Sequence, residues 1–302
     1  MTDSSFTPKP EIHYSRIFSA SKIKLFDQCQ KSFWFNYVDP ISSELKKELK
    51  KLPENILSFQ TLGKAVHGAI TLFYHLPPEE RKLENLKSKL SLAWQSEAMR
   101  FKKPPLGEWG GFSSLEEERE VYSVGLSMLK NFLMMPPLTD DFEFLPTDNL
   151  VRSIEDYHRL ITPMTEDFDI SGKFDLVIRN PEGSLEIVDF KTGKREEIDS
   201  FQMFFYKALA EMKFGKPVSQ LKLYFLRTGR VIGVPSDDKT TEDIKKEIVE
   251  KVEKIRSTKT YNPNPTKLCK FCLFKNQCPE KEKVREAIKE VKGEDLDDDL
   301  PF

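Results

Sequence analysis

A predicted β-hairpin near the middle of the chain limits the possible folds more than any other segment. Two strand-like runs, at residues 168–179 and 185–192, flank the turn-forming residues Asn-Pro-Glu-Gly at 180–183. Because side chains alternate between the two faces of a strand, Asp189 and Lys191 share one face of the second run. The segment therefore predicts a hairpin that carries a carboxylate and an ammonium group on the same side.

The register of this hairpin adds a second carboxylate. A connecting loop of three residues and one of five residues both place Asp175 directly opposite Asp189, where β-carbons lie about 4.5–5.5 Å apart. Two like charges there need a counter-charge, which a divalent cation such as Mg²⁺ would supply. Lys191 could then orient or activate a water molecule, or stabilise charge developing on a phosphate. The alternative is a solvated hairpin face with an ordinary Asp/Lys pair, because D-x-K alone is a short motif with little information.

Helix and strand patterns flank the hairpin on both sides. A first helix is predicted from an N-cap at Ser19 or Ser21 to about Val38, with an apolar stripe that includes Cys29. The remaining predicted elements are helices at 61–74, 198–214 and 241–256 and strands at 150–161, 219–226 and 230–235.

Composition leaves the partner of the chain open. The chain has 302 residues, 38% of them hydrophobic, which is enough for a sizeable core. Its net charge is only −2 although 32% of residues are charged, and this neither supports nor excludes nucleic acid, since clustered Lys and Arg set the local field. No apolar run reaches the ~18 residues of a membrane span, and the N-terminus shows no signal pattern. We therefore expect a cytoplasmic protein with no membrane partner.

Several motifs resemble those of the RecB-like PD-(D/E)xK nucleases. G-x-x-D at Gly172–Asp175 and V-D-F-K-T-G at Val188–Gly193 resemble the catalytic hairpin of that family, and Gln202 and Tyr206 match its Q-x-x-x-Y motif. Leu62–His67 resembles its early G-x-x-x-H motif, and the first predicted helix resembles its opening helix. The resemblance implies an α/β protein with a restriction-endonuclease-like mixed β-sheet core flanked by helices.

The same resemblance implies a role for each motif residue in hydrolysis of a phosphodiester bond. Taken alone, a histidine such as His67 is more often a surface or structurally satisfied residue, and Glu155 matches a further family acid only at a doubtful distance. The implied ligands of Mg²⁺ or Mn²⁺ are His67, Asp175, Asp189 and the carbonyl of Phe190. The implied catalytic residues are Asp175 and Asp189, Lys191, which would serve the attacking water, and Gln202 and Tyr206, which would position substrate or active-site groups.

Four cysteines form a second constellation. Cys29 lies near the start of the chain, and Cys269, Cys272 and Cys278 form C-x₂-C-x₅-C near its end. In a reducing compartment such cysteines are more often free or metal-bound than disulfide-bonded. Four thiolates suit either tetrahedral zinc or an iron–sulfur cluster, while Cys29 alone would be a core thiol on an apolar helix stripe. Spacing leaves these alternatives open.

The order of the cysteines resembles that of the AddB-type nuclease domain and the CRISPR-associated RecB-like exonucleases. These proteins have one cysteine before the nuclease core and three after it. The resemblance implies a 4Fe–4S cluster on Cys29, Cys269, Cys272 and Cys278, which acts as a structural staple between the N-terminal helix and the C-terminal segment.

Together the motifs predict a metal-dependent DNA nuclease, preferably an exonuclease that acts on single-stranded ends in DNA repair or recombination. Lys173, Lys194 and Arg195 flank the hairpin and are candidate phosphate contacts. No helicase P-loop is present, so a coupled helicase would be a separate chain. The alternatives are a non-catalytic DNA-binding or scaffold subunit and a structural zinc or redox protein, which would leave the hairpin unexplained.

The expected organisation is a nuclease core interrupted by one insertion. Residues 1–75 and 149–282 are assigned to the core, 76–148 to a mostly helical insertion, and 283–302 to an acidic tail. The segment Glu294–Phe302 resembles the acidic tip of bacterial single-stranded-DNA-binding proteins, so a repair protein that recognises this tip is a candidate partner. A solvated acidic terminus and a tail that covers the DNA groove of the same chain are the alternatives.

Overall fold

The central sheet of the protein has five strands and is mixed. The computed structural model describes residues 16–97, 103–136, 138–146 and 159–289. With strands numbered along the chain, the spatial order is β2 (Phe142–Phe144), β5 (Leu176–Arg179), β6 (Leu185–Lys191), β7 (Val218–Phe225) and β8 (Arg230–Val234). β6 and β7 are parallel, and the other neighbours are antiparallel. Parallel neighbours require a crossover connection, which helix α7 (Ser200–Phe214) provides.

A second, smaller sheet adjoins the first and shows where one prediction was wrong. Its strands are β1 (Ile17–Phe18), β4 (Asp169–Lys173) and β3 (Arg159–Pro163), in that spatial order. The strand predicted at 168–179 is therefore two strands in two sheets. Phe174 is buried between two aromatic rings, and the Asp175 carboxylate turns toward a backbone amide of β6. These tertiary contacts break the strand where local pattern predicts continuity.

Helices cover both faces of the central sheet, in agreement with the predicted restriction-endonuclease-like α/β fold. The helices are α1 (Ala20–Gln28), α2 (Gln30–Tyr37), α3 (Pro40–Leu49), α4 (Ser58–Tyr74), α5 (Leu83–Glu97), α6 (Leu115–Met134), α7, α8 (Thr241–Ser257) and α9 (Lys281–Lys289). Leu185 and Ile187 of β6 pack into one apolar cluster with α1, α2, α7 and α8, while Val188 and Phe190 pack into another with α4, α5 and α6.

The first predicted helix is interrupted at Cys29. Ser19 caps α1 as one of the two predicted N-caps, but the chain is extended at Cys29, with φ −158° and ψ 104°. The backbone N–H of Lys31 donates to the Asn262 carbonyl at 3.0 Å, and the Cys29 thiol accepts the N–H of Ser32. Because the loop after α8 supplies the acceptor for the Lys31 N–H, the helix ends where the local pattern alone would continue it.

The predicted insertion shares an apolar core with the helix that carries His67. Its helices α5 and α6 pack on α4 and on the face of the sheet that includes Phe190. Among the residues that the structure describes, no helix is long and apolar enough to cross a membrane.

Candidate active site

The hairpin has the predicted register. Leu176 pairs with Val188 and Arg179 with Leu185, so Asp175, one residue before β5, stands beside Asp189 near the end of β6. Both carboxylates therefore lie at the same end of two neighbouring strands of the sheet.

Asp175 joins the hairpin to α4. One carboxylate oxygen lies 2.7 Å from Nδ1 of His67, and the other accepts the backbone N–H of Phe190 at 2.7 Å. Burial lowers the pKa of His67, but the charge and hydrogen bond of Asp175 outweigh it, so the pKa stands above its usual value of 6.5. Gly63 allows α4 to pass this close, because a β-carbon there would lie 3.1 Å from the Thr192 hydroxyl oxygen. The predicted early motif thus reaches the hairpin.

Asp189 and Lys191 form a second, buried pair in the strand next to Asp175. The Asp189 residue is 6% exposed, and the Lys191 Nζ lies 2.8 Å from its Oδ2. Burial raises the pKa of Asp189, as does the charge of Asp175, while Lys191 opposes the rise. Burial lowers the pKa of Lys191, but the charge of Asp189 and its hydrogen bond raise that pKa by more. The net pKa lies above its usual value, so the lysine remains protonated. The site therefore concentrates two carboxylates and balances them with an imidazole and an ammonium group.

The first turns of α7 complete the cluster. The Lys191 Nζ donates to Oε1 of Gln202 at 2.9 Å, and Nε2 of Gln202 donates to the Tyr206 hydroxyl at 3.2 Å. Tyr206 packs over Gly172, where a β-carbon would lie 3.0 Å from its ring, and burial raises the pKa of its phenol above the usual range. Gly172 and the Q-x-x-x-Y pair thus belong to one packed unit.

Two further residues border this unit, and the motif reasoning missed both. Asp199 caps α7 by accepting the N–H of Gln202 at 3.1 Å, and Lys24 of α1 donates to its other oxygen. The aspartate directly before an apolar helix is an N-cap signal that the sequence contains. The partner Lys24 is 175 residues away, and no local signal points to it.

The predicted phosphate contacts lie at the surface near the site. Lys173 and Lys194 are exposed, and Arg195 is exposed and pairs with Glu197 at 3.5 Å. Their role in binding nucleic acid stays a prediction. Glu155 lies outside the described residues.

All four cysteines line one cavity. The cavity is partly open to solvent and also borders on Ser32. Burial raises the pKa of the thiols of Cys272 and Cys278, and the neighbouring cysteines add to the rise. The cavity therefore brings Cys29, from the break between α1 and α2, together with Cys269, Cys272 and Cys278 from the C-terminal segment.

The side chains as they stand do not form a ready site for a single ion. Within residues 16–97, 103–136, 138–146 and 159–289, no group of three or more His, Cys, Asp and Glu side chains is arranged to hold a metal ion. At the hairpin, His67 and Asp175 contact each other directly, and so do Lys191 and Asp189.

The mixed sheet with its flanking helices, and the carboxylates and lysine at the ends of two adjacent strands, define a restriction-endonuclease-like α/β protein. The chain belongs to the PD-(D/E)XK nuclease superfamily, whose family model matches residues 17–279. That range includes the four cysteines and every candidate site residue from His67 to Tyr206. No curated protein matches the chain. Membership of this superfamily indicates that the protein is a nuclease, and therefore a phosphodiester hydrolase in general.

Proposed function

We propose that this protein is a metal-dependent deoxyribonuclease of the RecB-like type, and that it removes nucleotides from single-stranded DNA ends during repair or recombination. The proposal rests on one observation. Four side chains form a cluster at one end of the β5–β6 hairpin, namely His67, Asp175, Asp189 and Lys191. A non-catalytic scaffold would have no need for two adjacent carboxylates, since neighbouring like charges cost stability.

The donor set fits Mg²⁺ or Mn²⁺. Carboxylate and carbonyl oxygens suit these cations. Oδ2 of the buried Asp189 carboxylate lies 2.8 Å from the Lys191 ammonium but makes no well-aligned hydrogen bond among the described residues. His67, Asp175, Asp189 and the Phe190 carbonyl would hold the ion, after the side chains release their present contacts with one another. When bound, the ion would polarise the scissile phosphate and lower the pKa of a water molecule.

The remaining residues act on charge and orientation. Lys191 keeps its proton beside Asp189, so its ammonium group can orient the attacking water or stabilise negative charge on the phosphate. The Lys191 ammonium group also donates a hydrogen bond to Gln202, and the Gln202 amide donates one to the Tyr206 hydroxyl. Fixed donors of this kind need no rearrangement when charge develops, and this is why they favour the transition state.

The cysteine cavity supports a structural 4Fe–4S cluster. The four cysteines line one cavity, and four thiolates suit either an iron–sulfur cluster or zinc. Such a cluster would join Cys29 to a segment 240 residues later. Binding would require deprotonated thiols, so affinity should fall with falling pH.

The test uses anaerobically purified protein with end-labelled single- and double-stranded DNA, with Mg²⁺ or Mn²⁺ and with chelator. We expect cation-dependent shortening of single strands from an end, and no cleavage with chelator. Internal fragments would indicate an endonuclease instead of an exonuclease, and no cleavage of either DNA would refute the proposed function.

Partners beyond DNA follow from the same proposal. Digestion of a duplex by an enzyme that acts on single strands would need strand separation, which a separate helicase would supply. The acidic segment Glu294–Phe302 is proposed to attract a basic surface on a repair protein, and it lies outside the described residues.

A further inference from the structure

Two residues that have no predicted role in the site hold the start of α7 in place. We infer that Asp199 and Lys24 are positioning residues, which fix the first turn of α7 and so keep the Gln202 side chain against Lys191. The inference deepens the proposed nuclease function and, in its catalytic part, rests on it.

Asp199 fixes the backbone from which Gln202 extends. Its Oδ1 accepts the N–H of Gln202 at 3.1 Å, as an N-cap does. The amide side chain of Gln202 is committed at both ends, because its oxygen accepts from Lys191 and its nitrogen donates to Tyr206. A shift of this turn therefore moves the group that holds the lysine.

Lys24 fixes Asp199 in turn. Its Nζ donates to Oδ2, the oxygen that the cap does not use, and the pair is largely shielded, with side chains 28% and 21% exposed. Charge-assisted hydrogen bonds are the stronger kind, and a carboxylate held at both oxygens cannot rotate without losing one of them. Lys24 is itself anchored, because Ile23 and Phe26 of the same helix are buried in the core.

The chain contains a matched control on the same helix. Asp27, one turn after Lys24, pairs with Lys251 of α8 at 2.9 Å. Both ion pairs connect α1 to another helix, but only the pair of Lys24 ends at the cap of α7. Lys251 also lies 5.2 Å from the ring centroid of Phe201 in the first turn of α7, and Asp27→Asn leaves this contact in place. Asp27→Asn therefore reports what the loss of an α1 ion pair does by itself.

The experiment measures steady-state cleavage and hydrogen exchange in the full chain. Asp199→Ala should lower kcat by about 10- to 100-fold, since small misplacements of catalytic groups have effects of this size, with little change in KM for DNA. Lys24→Met should lower kcat less, and should have no further effect when Asp199 is already alanine, because the ammonium group has then lost its partner. Lys24→Arg and Asp199→Asn, which keep the charge or the cap, should recover most of the activity.

Hydrogen exchange gives a readout that is independent of cleavage. Asp199→Ala and Lys24→Met should speed exchange at the Gln202 amide, while Asp27→Asn should leave both exchange and kcat at the wild-type level. Equal effects of Lys24→Met and Asp27→Asn would overturn the inference, because Lys24 would then only hold α1. If the wild-type protein cleaves no DNA, the proposed function is wrong, and hydrogen exchange alone then tests whether Asp199 and Lys24 position α7. Unchanged exchange in Asp199→Ala would overturn the positioning role.

Discussion

Substitution of Gly172 by alanine tests whether packing under Tyr206 maintains the active site. Gly172 lies in β4, and a β-carbon there would stand 2.7 Å from Cδ2 of Leu209 and 3.0 Å from the ring of Tyr206. Real β-carbons essentially never approach an atom as closely as the first distance, so Leu209 or the helix must move. Both residues belong to α7, and any displacement reaches Gln202.

The magnitude follows from the cost of overpacking. One methyl group forced into a packed interior typically costs about 1–3 kcal/mol, and Leu209 is fully buried, so it has little freedom to turn away. For a chain of this size, each kcal/mol lowers the melting temperature by about 1–2 °C. Gly172→Ala should therefore lower the free energy of unfolding by about 1–3 kcal/mol and reduce kcat as Tyr206 shifts.

Urea unfolding and thermal melting check this expectation, with Gly233→Ala as the control. Gly233 is also a strand glycine, but a β-carbon there meets nothing within 4 Å, so its substitution should be neutral or slightly stabilising. Leu209→Val should recover part of the loss caused by Gly172→Ala, since it removes the atom in conflict. Equal stability of the two alanine variants would refute the packing argument, and so would strict additivity of Gly172→Ala and Leu209→Val.

Three further predictions concern charge and ligation. Asp189→Ala or Lys191→Ala should abolish cleavage of end-labelled DNA while DNA binding, measured by filter retention, remains; surviving activity would remove the assigned site. The pKa of His67 is lowered by burial but raised more by Asp175, so in metal-free protein the stability from this contact is complete below about pH 6.5 and is lost as pH rises through the raised pKa. His67→Gln should therefore flatten that part of the stability profile in urea unfolding, and an unchanged profile would contradict the assignment. Anaerobic protein should be brown, with about four irons and four sulfides per chain, and Cys29→Ala should lose both iron and thermal stability; stoichiometric zinc without sulfide would rule out the cluster.

Local periodicity accounts for the parts of the site that the sequence determined. Strand alternation and the turn at 180–183 were enough to bring Asp175 beside Asp189, because hairpin register depends on neighbouring residues. The four-residue spacing of Gln202 and Tyr206 put them on one face of α7, where they are hydrogen-bonded. The mixed α/β architecture likewise agrees with the predicted one.

Long-range contacts decided what the sequence could not. The helix break at Cys29 depends on backbone partners more than 230 residues away, and the strand break at Phe174 depends on aromatic rings from other elements. Local propensity favours continuity at both places, and burial of an aromatic ring or pairing of a backbone amide outweighs it. The pairing of Lys24 with Asp199 is of the same kind. The sequence by itself thus predicted which groups would carry the chemistry, whereas only the tertiary structure decided which groups hold them in place, because positioning contacts join segments that no local pattern connects.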